Sequence, residues 1–325
     1  MVKIYGTLGP ACNDEKLLKE MFKAGMHGVR LNLSHSMLKD NESLIYIVKS
    51  AARQCGITPE ILVDLQGPEL RIGTLDSDID LLEDSEFILG KGGIPLDGKI
   101  LCELKKDMEI LLDDGKIKAH ILANNGDRVT ARVDRGGTLR SRKSIAVKEV
   151  EIRMDALTGS DIVNIKEAVR LGITGIMQPF VRGKEDVLTL RDVLQREGGA
   201  SIEIFAKIEN RRGIDKLDEI IEVSDEVIIA RGDLGNAVPL WELPGVQKRI
   251  AEKCRLSNRR FMVVTQMLSS MEKNLVPTRA EVSDIFNAVL DGAASVMVTG
   301  ETAIGNYPVE VISYMKKTVA SAENF

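Results

Sequence analysis

Short apolar runs alternate with amphipathic stretches along most of the chain. Apolar runs bounded by turn residues predict buried strands, and apolar residues at helical spacing predict helices packed on them. The predicted strands cover residues 3–5, 28–33, 61–65, 175–178, 202–206, 226–229, 261–264 and 295–298. The predicted helices cover residues 14–24, 37–55, 160–171, 184–196, 213–222, 240–255, 279–291 and 309–321.

Residues that cap helices lie at the expected boundaries. Asn13 or Asp14, Ser160 and Thr278 are predicted to begin helices, and Gly25, Gly56, Gly172 and Gly292 to end them. A strand–helix unit repeated eight times predicts a (β/α)8 TIM barrel, an α/β fold. A doubly wound open sheet is the alternative, because counting strands does not establish closure.

Residues 67–153 break this rhythm. Turn signals separate short runs; Arg135-Gly136-Gly137 is one, and Asp-Gly or Asn-Gly pairs lie near residues 96–99, 112–116 and 124–127. Such pairs predict β-hairpins. We expect a small β-barrel-like lid domain inserted after the third strand, with 1–66 and 154–325 forming the barrel. An insertion there emerges on the face where barrel active sites lie.

Two apolar runs end abruptly in charged residues, at 205–210 and 229–235. Lys207, Glu209 and Asp233 are costly to bury there unless they face one another or a ligand. Two carboxylates and a lysine suit a divalent cation and a phosphoryl group, because Mg²⁺ prefers oxygen ligands and shares them with substrate. The alternative is a structural salt bridge at a strand–loop junction.

Polar residues follow the other predicted strands as well. Because the barrel would bring them into one bowl, we expect a common site. They are Arg30, Asn32, Ser34, His35, Asp64, Glu69, Arg71, Arg231, Thr265, Gln266, Thr299 and Glu301.

The residue types suggest roles. Arg30 offers a planar fork for phosphate oxygens, and Lys207 can follow charge as it moves during phosphoryl transfer. Oxygen atoms of Asn32, Ser34 and Asp64 could hold a second cation of low charge. In the loop after the sixth strand, backbone N–H groups at a helix start can hold a carboxylate, and the Thr265 hydroxyl could relay a proton.

Composition restricts the remaining possibilities. A net charge of −5 gives no electrostatic reason to expect nucleic acid or an anionic membrane as a partner. With three histidines and no CxxC among four cysteines, a zinc site is not expected. No run approaches the length of a membrane span. We expect a cytoplasmic protein with reduced thiols.

Eight ordered motifs closely resemble the pyruvate kinase family. They are GTLGPA (6–11), VRLNLSH (29–35), DLQGPELR (64–71), KIEN (207–210), ARGDLG (230–235), TQML (265–268), PTRAE (277–281) and GETA (300–303). The resemblance implies a glycolytic transferase that moves phosphate from phosphoenolpyruvate to ADP, giving pyruvate and ATP. It also implies Mg²⁺ (or Mn²⁺) and K⁺ as cofactors.

The resemblance also implies roles for individual residues. Lys207 would stabilise the transition state, Arg30 would hold the phosphoryl group, and Thr265 would contact substrate with the backbone of Gly232 and Asp233. Glu209 and Asp233 would bind Mg²⁺. The implied K⁺ ligands are Asn32, Ser34, Asp64 and the carbonyl of Leu65, and the residues near the nucleotide are His35, Arg71 and Lys143.

Four departures from the family pattern affect the expectation. Leu65-Gln66 replaces Thr-Lys, Pro179 replaces serine, and Ser36 replaces glycine. The sequence also stops after the eighth predicted helix, so we do not expect the family's C-terminal domain. We expect a monomer, or a homodimer that associates through the barrel. The alternatives are a diverged Mg²⁺-dependent lyase or phosphotransferase acting on an enol or keto acid, and a weakly catalytic regulatory protein.

Overall fold

The computed structural model describes residues 1–34, 36–68, 70–113, 115–147 and 154–325. Two of the residues singled out above, His35 and Glu69, lie outside the described residues. The chain divides into two compact units. One comprises Met1–Gly67 and Ala156–Phe325, and the other comprises Pro68–Asp155.

Within the described residues of the first unit, eight parallel strands form a closed barrel. Each strand pairs with its neighbours in chain order, and the first pairs with the last. This closure confirms the predicted TIM barrel and excludes the open sheet. The strands are Lys3–Thr7, Gly28–Asn32, Glu60–Asp64, Gly175–Gln178, Glu203–Ile208, Glu226–Ala230, Arg260–Val264 and Ser295–Val298.

Helices surround the strands of this unit. The long ones are Glu15–Ala24, Glu42–Gln54, Gly159–Leu171, Lys184–Arg196, Leu243–Leu256, Arg279–Leu290 and Pro308–Glu323. A predicted helix at 213–222 is instead two short helices, Arg211–Asp215 and Leu217–Val223. The helix predicted at 37–55 begins with a 3-10 turn, Leu38–Asn41, before the α-helix. Short helices at Arg231–Ala237 and Gly300–Ala303, and 3-10 turns at Pro10–Cys12 and Ser269–Glu272, were not predicted.

Capping side chains explain where the main helices begin. Asp14 accepts a hydrogen bond from the Leu17 amide, and Thr278 forms a capping box with Glu281. The prediction that Ser160 caps its helix is wrong. Thr158 is the cap, because its hydroxyl accepts from the Asp161 amide while the Asp161 carboxylate bonds back to Thr158.

Alternation along the strands sorts side chains between the barrel interior and the helix layer. The interior carries a buried apolar cluster. A residue two positions after a member of this cluster also points to the interior but lies at the carboxyl end of the barrel, as Lys207 does after Phe205. Residues two positions earlier, such as Glu226 before Ile228, lie at the amino end. The cluster consists of Tyr5, Leu62, Met177, Phe205, Ile228, Ala230, Met262, Val264 and Met297.

The second unit is rich in β-structure and has its own apolar core. Its described strands form a five-stranded and a two-stranded sheet. Hairpins at 112–117 and 124–128 are confirmed. The hairpin predicted at 96–99 is wrong, because Asp97 caps a short helix, Gly98–Leu101. The strands are Ile79–Leu81, Glu86–Gly90, Glu109–Leu112, Ile117–Asn124, Arg128–Arg135, Gly137–Leu139 and Ile145–Val147.

Candidate active site

A chain of ion pairs links the second, third and fifth strands at the carboxyl end of the barrel. Arg30 donates from Nε and Nη2 to Asp64 Oδ2, at 3.1 and 2.5 Å. Lys207 Nζ lies 3.2 and 3.1 Å from the two oxygens of Asp64 and 3.0 Å from Glu209 Oε1. Both carboxylates are buried. The structure therefore brings together four residues that the sequence singled out.

The charges of this chain set one another's protonation. Burial opposes ionisation of Asp64, but the neighbouring charges of Lys207 and Arg30 outweigh it and hold the pKa of Asp64 below its usual value. Burial likewise disfavours the ammonium form of Lys207, yet Asp64 and Glu209 keep its pKa above normal. Asp64 and Lys207 are thus a charged pair at neutral pH.

Glu209 differs from Asp64. Burial, followed by the charges of Asp233 and Asp64 and opposed by Lys207, raises the pKa of Glu209 to about 7. Its Oε2 accepts a hydrogen bond of 2.8 Å from the Phe180 amide. Its buried Oε1 has no hydrogen bond of acceptable geometry, although Lys207 is near. A buried acid with a raised pKa and an unsatisfied oxygen is suited to an additional cation.

The two acids Glu209 and Asp233 could hold a cation whose remaining ligands come from water or substrate. Glu209 and Asp233 interact electrostatically, and Asp233 lies on the first turn of the short helix Arg231–Ala237. Among the described residues no group of three or more carboxylate, imidazole or thiol side chains could hold a metal. Mg²⁺ fits such a pair of acids, because it commonly uses one or two carboxylates and completes its shell with water and substrate phosphate.

Thr265 follows the seventh strand in a strained conformation. Its φ is +69° and that of Gln266 is +53°, values that are unfavourable for a β-branched residue and persist only where surrounding contacts impose them. Here Arg231 donates to the Thr265 carbonyl at 2.6 Å and is itself held by both oxygens of Asp284. The Thr265 hydroxyl accepts from the Gly232 amide at 2.9 Å. The structure therefore joins Thr265 to the segment that carries Asp233.

Asn32 and Ser34 lie beside the ion pairs. Asn32 is opposite Asp64 in the strand register, and its Oδ1 accepts from the Ser34 hydroxyl at 2.7 Å. A cavity of about 230 Å³ adjoins Asn32. Its wall combines amide and apolar side chains, namely Leu8, Gly9, Pro10, Asn13, Leu31, Asn32, Asn41 and Leu44.

Other residues suggested by the sequence have different surroundings. In the second unit, Lys143 pairs with Asp113 at 2.7 Å, and Arg71 donates to the Arg142 carbonyl. Glu301 is buried and accepts from the Leu268 and Thr299 amides, so it joins the last two strand ends instead of facing solvent.

The sequence did not reveal how Glu209 is positioned. Phe180, which holds it, has a φ of +54°, and neither this conformation nor its amide contact has a signal in residue type. The ion pair between Arg30 and Asp64 was also missed. Strand alternation could have found it, because both side chains point to the barrel interior from adjacent strands, and Arg30 is paired with Leu62, two residues before Asp64.

Fold and site together define a class, the (β/α)8-barrel proteins with an ionisable site at the carboxyl ends of their strands. Residues 1–312 match the family model described as pyruvate kinase, barrel domain. The curated relatives include pyruvate kinases from Bacillus licheniformis and Clostridium acetobutylicum, each 37% identical over 99% of this chain, and one from Chlamydia muridarum that is 36% identical. The chain belongs to the pyruvate kinase family.

The chain spans only part of these relatives. It covers 57% of the Bacillus licheniformis protein, 70% of the Clostridium acetobutylicum protein and 69% of the Chlamydia muridarum protein. The matched part includes the whole barrel with its candidate site. Among the described residues no helix is long and apolar enough to cross a membrane.

Proposed function

We propose that this chain transfers a phosphoryl group from phosphoenolpyruvate to ADP, giving pyruvate and ATP. The observation that carries the proposal is the buried chain of charges from Arg30 through Asp64 and Lys207 to Glu209. Membership of the pyruvate kinase family supports the same reaction. The net reaction takes up one proton, because the enolate released from phosphoenolpyruvate is protonated at carbon.

Lys207 acts on the charge that moves during transfer. Its ammonium group is held in place by two carboxylates before substrate arrives, so little reorganisation is needed when negative charge develops on the enolate oxygen. Arg30 is anchored through Nε and Nη2, and among the described residues its Nη1 has no hydrogen-bond partner. That nitrogen is available to a phosphoryl oxygen.

Glu209 and Asp233 are the proposed ligands of Mg²⁺. When bound, this cation neutralises phosphoryl and carboxylate oxygens of the substrates. Glu209 supplies its unsatisfied Oε1, and binding requires the deprotonated acid, so affinity should increase as the pH passes about 7. The Gly232 and Asp233 backbone and the Thr265 hydroxyl are proposed to orient the substrate carboxylate.

Asn32, Ser34, Asp64 and the Leu65 carbonyl are the proposed K⁺ ligands. Asp64 already pairs with two cations, but a carboxylate offers about four lone-pair sites. The cavity beside Asn32 is proposed to receive part of the nucleotide. His35, Arg71 and Lys143 are retained as proposed nucleotide contacts on the resemblance alone.

A coupled assay of pyruvate formation, with Mg²⁺ and with or without K⁺, tests the function. The critical variant is Lys207→Met, which should lower kcat by roughly 10²–10³-fold, the effect of removing one preorganised electrostatic group. Lys3→Met is the matched control, because it removes a lysine–glutamate pair at the opposite end of the barrel. Thermal unfolding of both variants checks that the barrel is intact.

The outcomes separate the alternatives. Near-normal turnover in Lys207→Met would show that its assigned role is wrong. A wild-type protein that forms no pyruvate but binds oxalate (an enolate mimic) together with Mg²⁺ would be a diverged enol-acid or keto-acid enzyme. A protein with neither property would be a regulatory binding protein.

A further inference from the structure

The Asp161 carboxylate joins two parts of the barrel unit that are far apart in sequence. It is fully buried and accepts from the amides of Gln66 at 3.0 Å and Gly67 at 3.2 Å, just after the third strand. It also accepts from the Thr158 amide and hydroxyl, each at 2.8 Å, where the next long helix begins. One side chain therefore completes the capping box of a helix and fixes the segment that follows Asp64.

This contact continues to Glu209 through close packing. Gly67 has a φ of +64°, and a Cβ atom there would overlap Cγ of Pro179. The Pro179 ring thus lies directly against the backbone that Asp161 holds. The next residue, Phe180, donates its amide to Glu209 Oε2. Three contacts in succession connect Asp161 to a proposed Mg²⁺ ligand.

We propose that Asp161 is a positioning residue that fixes both the segment 64–67 and, through Pro179 and Phe180, the carboxylate of Glu209. The inference rests on the proposed function only for its effect on turnover, because the contacts themselves exist without substrate. Asp161 touches none of the reacting groups. It keeps Asp64, the Leu65 carbonyl and Glu209 in one fixed arrangement.

A capping box alone does not require these contacts. Thr158 and Asp161 satisfy each other and the helix start, so the helix would be capped equally well without the amides of Gln66 and Gly67. The seventh βα loop uses the same device, since the capping acid Glu281 also accepts from the Ser270 amide. In both cases the acid that begins a helix also holds the loop before it.

The test measures amide hydrogen exchange in the full chain, which does not depend on activity. Asp161→Asn keeps the side-chain size but replaces one acceptor oxygen by a donor NH₂ group. Exchange at Gln66 and Gly67 should become about tenfold faster or more, as expected when hydrogen bonds to a buried carboxylate are lost. Thr158→Ala is the matched control, because it weakens the same helix cap but leaves the acceptors of Gln66 and Gly67.

Turnover provides the second readout. Asp161→Asn should lower kcat and raise the Mn²⁺ concentration needed for half-maximal activity, whereas Thr158→Ala should change neither by more than about twofold. Unchanged exchange at Gln66 and Gly67 in Asp161→Asn would overturn the proposal, as would equal acceleration in Thr158→Ala. A wild-type protein without pyruvate formation would refute the proposed function, and the exchange result would still decide the role of Asp161.

A second variant covers the case in which Asp161→Asn does not fold. Gly67→Ala leaves Asp161 intact but forces Pro179 away from the segment. Faster exchange at Phe180, the residue that follows the displaced Pro179, is the expected result. Exchange at Phe180 equal to that of the wild type would contradict the connection to Glu209.

Discussion

Glu226 is a buried acid at the amino end of the barrel, opposite the candidate site. Its carboxylate accepts a hydrogen bond from the Ser295 hydroxyl, and Oε2 lies 3.5 Å from Arg260. Glu203 also pairs with Arg260, and Lys3 contributes a more distant positive charge. Burial is the dominant effect and raises the pKa of Glu226 from 4.5 to about 7.

This difference in pKa fixes the sign of a contribution to stability. Between pH 4.5 and about 7 the folded protein keeps a proton on Glu226 that the unfolded chain has lost. The free energy of unfolding therefore decreases as the pH rises through this range. A tenfold change in proton affinity is worth about 1.4 kcal/mol, so the full effect is roughly 3 kcal/mol. Above pH 7 the fold carries this entire cost.

Glu226→Gln should remove that cost, since the amide has nearly the same shape and still accepts from Ser295. We expect the variant to exceed the wild type in unfolding free energy by up to roughly 3 kcal/mol at pH 8 and to match it near pH 4.5. Urea unfolding at several pH values measures both quantities, with unchanged m-values showing that the unfolded states are comparable. Glu209 contributes a slope of the same sign to both proteins, so the difference isolates Glu226.

Glu203→Gln is the control for this experiment. It removes the other carboxylate that pairs with Arg260, and so measures the ion pair without the buried acid. If the curves for the wild type and Glu226→Gln run parallel between pH 5 and 8, the argument from burial is refuted. The argument is also refuted if Glu203→Gln alone raises the unfolding free energy at pH 8 by as much as Glu226→Gln does.

Two further predictions concern the loop after the seventh strand. Asp284→Asn weakens the support that Arg231 gives to the strained Thr265, so kcat/KM for pyruvate formation should fall about tenfold while the melting temperature changes little; unchanged kinetics would contradict this. Glu281→Gln replaces one of the two carboxylate oxygens that accept from Thr278 at the helix cap and from Ser270. Urea unfolding at pH 7 should show a loss of about 1–2 kcal/mol, and because the pKa of Glu281 is lowered in the fold, the loss should shrink as the pH falls below 4.5; a loss independent of pH would refute it.

The barrel could be predicted because most of its strands contain a short apolar run between polar or turn residues. The strands at 175–178 and 295–298 have the predicted bounds. Others are shifted by one or two residues, and the fifth continues through Ile208, so Lys207 is inside the strand rather than after it. The apolar pattern in the sequence ends at the charged Lys207, so the predicted strand ended before it. The backbone of Lys207 and Ile208 nevertheless continues to pair with the sixth strand.

The short helices were harder to predict from residue type. Arg231–Ala237 contains two glycines and two charged residues, Arg231 and Asp233, a composition typical of a loop. It begins where the backbone leaves a strand, and its position is set by tertiary contacts of Arg231 with Asp284 and Thr265. Local propensity carries no information about such contacts, because their partners are distant in sequence.

The alternation of side chains along the strands places charged residues at both ends of the barrel, so alternation alone cannot distinguish a binding site from a structural network of ion pairs. The hydrogen bonding of the buried charged groups distinguishes the two ends. At the amino end Lys3 pairs with Glu60, Arg260 pairs with Glu203, and Glu226 bonds to Ser295; among the described residues none of their buried side-chain atoms lacks a hydrogen bond. At the carboxyl end Glu209 Oε1 is buried and makes no hydrogen bond of acceptable geometry, although Lys207 lies 3.0 Å from it, and a second acid, Asp233, is close enough to interact with Glu209. Because an unsatisfied buried acid is costly unless a ligand completes it, the carboxyl end is where a cation should bind. Calorimetry with Mn²⁺ can test this directly: Asp233→Asn should abolish tight binding, and Glu60→Gln at the amino end should leave it intact.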